Sequence, residues 1–162
     1  MVKYCMHNQR YLQEVALELE NLTLLIQELQ KIIDAQELNE PDIVLKTATS
    51  SFMAQYYTGI ENILKRISKY FSIPLPKSDS WHFELFSFFC NPPHSHLPIL
   101  FTDDIKNEIN ELRKFRHRFH HGYSFTLEWD ELLIGAKTVI DTFKPFSQNV
   151  NSFLQKSIKI NS

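Results

Sequence analysis

The sequence predicts an all-α protein, an antiparallel bundle of four long helices and one short aromatic helix, and three observations lead there. Apolar residues recur at alternating spacings of three and four through most of the chain, the period of a helix face. Glycine is scarce, 3 residues against 7 prolines, whereas turn-dense all-β folds need glycine repeatedly for positive φ. With 43% hydrophobic and 13% aromatic residues the chain can bury a core and lacks the polar composition of disorder. A length of 162 residues suits one domain, placed at residues 1–156, with a polar tail at 157–162 expected to fray.

Each element has its own signature. Leu12, Val15, Leu19, Leu22, Ile26, Leu29 and Ile33 form the narrow seam of a first helix, suited to bundle packing or to a coiled-coil dimer. Asn39-Glu40-Pro41-Asp42 breaks the pattern, and Asp42 is placed to cap a second helix. That helix carries the stripe Leu45, Ala48, Phe52, Tyr56, Ile60, Ile63, Ile67 and Tyr70 before Pro74 and Pro76 close it. Trp81 to Cys90 reads as a short core-plugging helix dense in aromatics (Trp81, Phe83, Phe86, Phe88, Phe89). Pro92, Pro93 and Pro98 make the next segment a rigid surface loop.

Thr102 is a candidate N-cap, with Asp103 and Asp104 in the first turn of a fourth helix that carries Ile105, Ile109, Leu112 and Phe119 and stops near Gly122. The last helix opens after Ser124 or Thr126. It repeats Trp129, Leu132, Ala136, Val139, Ile140, Phe143, Phe146, Val150 and Phe153, with Pro145 expected to kink it or end its first part.

No apolar run approaches the roughly 20 residues that span a bilayer, and Met1 to His7 lacks the apolar stretch of a secretory leader. A cytoplasmic protein with no membrane partner is expected, with Cys5 and Cys90 as reduced thiols. The net charge of −2 excludes a uniformly basic nucleic-acid coat, but charge is unevenly spread. Residues 1–42 hold eight acids and three bases. By contrast Arg113, Lys114, Arg116 and Arg118 stand with His117, His120 and His121 in nine consecutive residues without an acid, a candidate phosphate-binding patch.

Arg116 falls eleven positions after Ile105, about 20° from the apolar stripe on an ideal helix, so its guanidinium points at a packed face. An arginine there calls for a carboxylate, a phosphate or a subunit interface; an acid of the first helix is the plain structural answer. The histidines titrate near neutral pH, which suits proton transfer. A metal site built on His117 and His121 at i, i+4, with His94 and His96, is disfavoured by the surrounding cations, and neither a metal nor another cofactor is expected.

Arg116, four residues, His121, one residue and Tyr123 form an Arg-x4-His-x-Tyr pattern that resembles the HEPN ribonucleases, specifically the HepT-like toxins of HEPN/MNT toxin–antitoxin pairs. Phe52 to Leu64 is similar to the second-helix signature of those toxins, and Trp81-His82 to their short aromatic helix, so the likeness runs from the first helix to the last. The resemblance implies a HEPN-like fold and a metal-independent, homodimeric endoribonuclease that cuts RNA, tRNA by preference, leaving a cyclic phosphate. Arg116 would hold the scissile phosphate and His121 would move the proton of the attacking 2′-hydroxyl or of the leaving oxygen. His117 fills the polar place after the arginine in support, and Arg113, Lys114 and Arg118 supply further RNA contacts.

Tyr123 would accept an adenylyl group from a partner nucleotidyltransferase antitoxin of the MNT type, placing bulk and negative charge beside the motif. Residues five apart on a straight helix point about 140° apart, so Arg116 and His121 converge only if the helix ends before His121 or a dimer two-fold brings them together. His120, at i+4, is a rival base. The alternative function is a non-catalytic HEPN adaptor that binds its nucleotidyltransferase or a nucleotide.

Overall fold

The computed structural model describes the backbone of residues 2–35, 41–121 and 127–160, and the side chains within these from residue 9 onward, except at positions 120, 121 and 160. Among the described residues five helices follow one another: α1 (Val2–Asp34), α2 (Ile43–Tyr70), α3 (Trp81–Phe88), α4 (Lys106–His121) and α5 (Trp129–Ile160). Asp42 caps α2 as its position suggests, its carboxylate accepting from the Leu45 N–H at 2.8 Å.

Helix α2 is the centre of the bundle, packing on α1, α3, α4 and α5. Its predicted stripe is buried at Tyr56, Ile60, Ile63 and Ile67, but a second row beside it, Met53, Tyr57, Glu61, Leu64 and Ser68, is buried as well. A single amphipathic stripe describes a helix at the edge of a core, and α2 has neighbours on more than one side. Contacts with α1 run in opposite order along the two helices, Glu14 to Arg66, Glu18 to Asn62 and Leu22 to Gly59, so the pair is antiparallel. With α5 they run in the same order, Met53 to Gly135, Tyr56 to Thr142 and Tyr70 to Phe153. Both glycines mark close approach: a Cβ would stand 2.6 Å from Leu22 Cδ2 at Gly59 and 2.2 Å from Met53 Cε at Gly135.

Several expectations change. Helix α4 opens at Lys106, not just after Thr102. Asp103, Asp104 and Ile105 form a turn first, and the Thr102 carbonyl accepts from the Ile105 and Lys106 N–H groups. Pro145 does not end the first part of α5, which continues through it, and the helix extends to Ile160 with Ser157 buried where fraying was expected. The proline loop is not purely a surface feature. Leu97, Leu100 and Phe101 are buried, the Leu100 and Phe101 N–H groups both donate to the Phe89 carbonyl, and Phe101 stacks on Phe146.

Nor is α3 simply a core plug. Leu85, Phe86 and Phe89 enter the core, while Phe83 is 48% exposed and Trp81 only half-buried. This orientation leaves Trp81, His82 and Phe83 lining a cleft against α4. No helix among the described residues is long and apolar enough to cross a membrane.

Candidate active site

A cleft of about 480 Å³ opens where α3 meets α4, lined by Asp79, Ser80, Trp81, His82 and Phe83 on one wall and Arg113, Arg116 and His117 on the other. The spacing 113, 116, 117 explains the second wall, because residues at i, i+3 and i+4 share one helix face. The first wall is pinned by its turn: the Ser78 and Ser80 hydroxyls both donate to the Glu84 carboxylate and hold it below the usual carboxylate range.

Arg116 does point inward, as its offset from Ile105 predicts, but its partners are on α2 rather than α1. Its Nε donates to the Thr58 hydroxyl at 3.0 Å and its Nη2 lies 3.8 Å from Glu61 Oε2. The expected partner was an acid of the first helix; two of those acids, Glu14 and Glu18, meet Arg66 instead, at 3.4 and 2.9 Å. Glu61 is the hub of the site, its side chain 2% exposed. Its Oε2 also faces Lys65 Nζ at 3.9 Å, and its Oε1 meets Nδ1 of His82. Almost no carboxylate is buried without such company, because desolvation strongly disfavours the lone ion.

Aromatic groups frame this charge cluster. The His82 ring stacks on Trp81 at 3.5 Å between centroids, Lys65 Nζ stands 4.5 Å from the Trp81 ring centre, and Arg113 lies 5.3 Å over Phe83. On α2 the Tyr57 hydroxyl is buried with no hydrogen-bond partner among the described residues. Burial, and then the Glu61 charge, hold its phenol above the ordinary range, so it is a neutral donor.

The predicted basic patch is therefore divided. Arg113 and His117 share the cleft with Arg116. Lys114 is paired with Glu111 at 2.6 Å, and Arg118 lines a separate cavity of about 430 Å³ between α4 and α5, with Met53, Leu112 and Ile134. The backbone of His121 is helical, the last residue of α4, so the helix does not end before it. The side chains of His120 and His121, and all of Gly122 and Tyr123, lie outside the described residues. His94 and His96 stack on each other, with His96 against Phe71, and no group of three or more potential metal ligands occurs among the described residues.

Thr58, Glu61, Lys65 and His82 carry no role in the sequence reading, although Glu61 leaves a trace there as an acid between Ile60 and Ile63 in an apolar run. All of the cleft residues fall inside residues 48–157, which match the family model described as HepT-like protein. The chain belongs to the HepT-like family. No curated protein and no solved structure matches it. HepT-like proteins are generally associated with ribonuclease activity, and the all-helical bundle is consistent with the HEPN-like fold. In this HepT-like chain the motif arginine is braced from behind by a hydroxyl and a buried carboxylate, at the mouth of a cleft with cations on one wall and aromatic rings on the other.

Proposed function

We propose that this HepT-like protein is a metal-independent endoribonuclease toxin acting on RNA, tRNA first, and that a nucleotidyltransferase antitoxin silences it by adenylylating Tyr123. The observation that supports this reading best is the Arg116 guanidinium held by Thr58 and Glu61 in a cleft shared with Arg113, His82 and His117. A guanidinium fixed in advance is suited to a phosphate whose charge grows during attack, because it stabilises that charge without having to reorganise. Arg113 stands on the same wall to take a neighbouring phosphate.

The reaction needs a proton removed from the 2′-hydroxyl and one returned to the leaving 5′-oxygen, and His121 handles one of them, with His117 in support. Since Arg116 and His121 belong to one continuous helix and are five residues apart, they serve one phosphate best across a homodimer two-fold, the Arg116 of one copy beside the His121 of the other. Adenylylation of Tyr123, two residues beyond His121, would occupy the same ground with a phosphate of its own.

The test is incubation of unmodified protein with total tRNA in EDTA, beside Arg116→Ala and His121→Ala, reading product lengths and 3′ ends. Cyclic-phosphate ends made by the parent protein and lost in both variants are the expected result. A second reading has one specific support: Arg116 is already engaged by Thr58 and Glu61, as a purely structural arginine would be. In that case the chain is an adaptor. Protein shown by mass to carry unmodified Tyr123 would then leave tRNA intact, and Arg116→Ala would lower stability without changing binding of the nucleotidyltransferase.

A further inference from the structure

Cleavage through a 2′-hydroxyl requires two proton transfers, and the motif names one histidine for them. The cleft supplies a second. His82 is the second residue of α3, next to Trp81, and its ring is held from two directions: Nδ1 bonds Oε1 of the buried Glu61, and the Trp81 ring stacks on its face. Against a carboxylate, a neutral imidazole donates from Nδ1, so its acceptor is Nε2. The side chain is 31% exposed and lines the same cleft as Arg116. A buried carboxylate, an imidazole oriented by it and an open face toward the reacting group is the arrangement by which a hydroxyl is deprotonated in catalytic triads.

We propose that His82 is the general base of the reaction, oriented by Glu61, which at the same time braces Arg116. This rests on the ribonuclease reading and deepens it. Nε2 of His82 takes the proton of the 2′-hydroxyl as the 2′-oxygen electron pair forms the bond to phosphorus. The bond from phosphorus to the 5′-oxygen breaks with its electron pair left on that oxygen, which takes a proton from a protonated His121. The products are a 2′,3′-cyclic phosphate and a 5′-hydroxyl, with His82 protonated and His121 neutral until both exchange protons with water. Glu61 thus sets two geometries at once, base and phosphate holder, which explains why one carboxylate faces both α3 and α4.

A histidine with only a structural duty toward Glu61 would behave differently in three measurements. His82→Asn keeps an N–H donor against Glu61 but cannot carry a proton; His82→Ala removes the ring altogether. Both are assayed on a defined RNA with the natural 5′-oxygen and on the same RNA with sulfur in that place, whose thiolate leaves without a proton. Groups facing His82 that also titrate or carry charge are Glu61 and Lys65 from α2, Asp79 ahead of α3, and Arg113, Arg116 and His117 from α4. Each pH–rate profile is therefore read as a difference from the parent protein.

The expected result is a loss of about 10²–10⁴-fold in both His82 variants on both substrates, the scale of general base catalysis. His121→Ala should recover on the sulfur substrate alone, the pH–rate profile of His82→Asn should lose its ascending limb, and added imidazole should restore His82→Ala. His82→Asn should melt close to the parent temperature. Cleavage by His82→Asn within about threefold of the parent while Arg116→Ala is inactive would overturn the assignment and leave the ribonuclease reading standing. Recovery of the His82 variants on the sulfur substrate would also overturn it, making His82 the acid. Absence of cleavage by the parent protein would remove the ribonuclease reading and this inference with it.

Discussion

Among the described residues two ion-pair clusters join helices of this bundle, and they are balanced in opposite ways. Between α1 and α2, Arg66 meets Glu14 and Glu18, and Arg10 bonds Glu14 at 2.7 Å, so two cations face two carboxylates. At the cleft, Lys65 and Arg116 meet Glu61, and Arg113 and Arg116 share the lining with Asp79, so three cations stand against two carboxylates. The first cluster is neutral and closed by its own partners. The second has a surplus cation and an open wall, which is an invitation to an anion. The presence of an interhelical salt bridge therefore says little about function; the residual charge and the access to it say more.

The largest effect belongs to Glu61. Glu61→Ala should lower RNA cleavage by about 10²-fold, since both Arg116 and His82 lose their brace. It should cost about 2 kcal/mol in chemical denaturation. That cost is at the charged hydrogen-bond scale, because Arg116, His82 and Lys65 are each partly exposed and can turn to water. An unchanged cleavage rate would return Glu61 to a structural role.

A difference between the two sides of α4 sharpens the picture. Arg113→Ala should weaken binding of a non-cleavable RNA and reduce the slope of log affinity against log salt by about 1, whereas Lys114→Ala, whose ammonium is already on Glu111, should leave the slope alone. Equal slopes for the two variants would restore the single undivided basic patch.

Arg66→Ala addresses the closed cluster. It should cost about 1 kcal/mol, as partly exposed ion pairs do, with cleavage unaltered. An effect of similar size and opposite sign belongs to Tyr57, whose buried hydroxyl has no partner among the described residues. Tyr57→Phe should raise stability by about 1 kcal/mol in urea unfolding, since an unsatisfied polar atom leaves the interior. A clear loss of stability would reveal a partner for that hydroxyl.

Much of this organisation is legible in the chain. The five helices and the Asp42 cap follow from apolar spacing and local chemistry, which act within a few residues. That Arg116 points inward follows from its offset on its own helix. What it meets does not, because the choice of Glu61 over Glu14 or Glu18 depends on the register of α4 against α2, a long-range property. His82 was hidden for a similar reason. Which face of an aromatic-rich helix turns to solvent was decided by Leu85, Phe86 and Phe89 entering the core together. The basic run looked like one patch because its residues are consecutive, yet a rotation of about 100° per residue scatters neighbours round the helix.

On the proposed function, RNA reacts at the surplus-positive cleft and not at the balanced cluster between α1 and α2. Single-turnover cleavage of tRNA in EDTA by Arg116→Ala and Arg66→Ala, each confirmed folded, tests it most directly. A fall of about 10²–10³-fold for Arg116→Ala with Arg66→Ala at the parent rate is the outcome the account predicts. Equal rates for the two variants, both near the parent value, would contradict it.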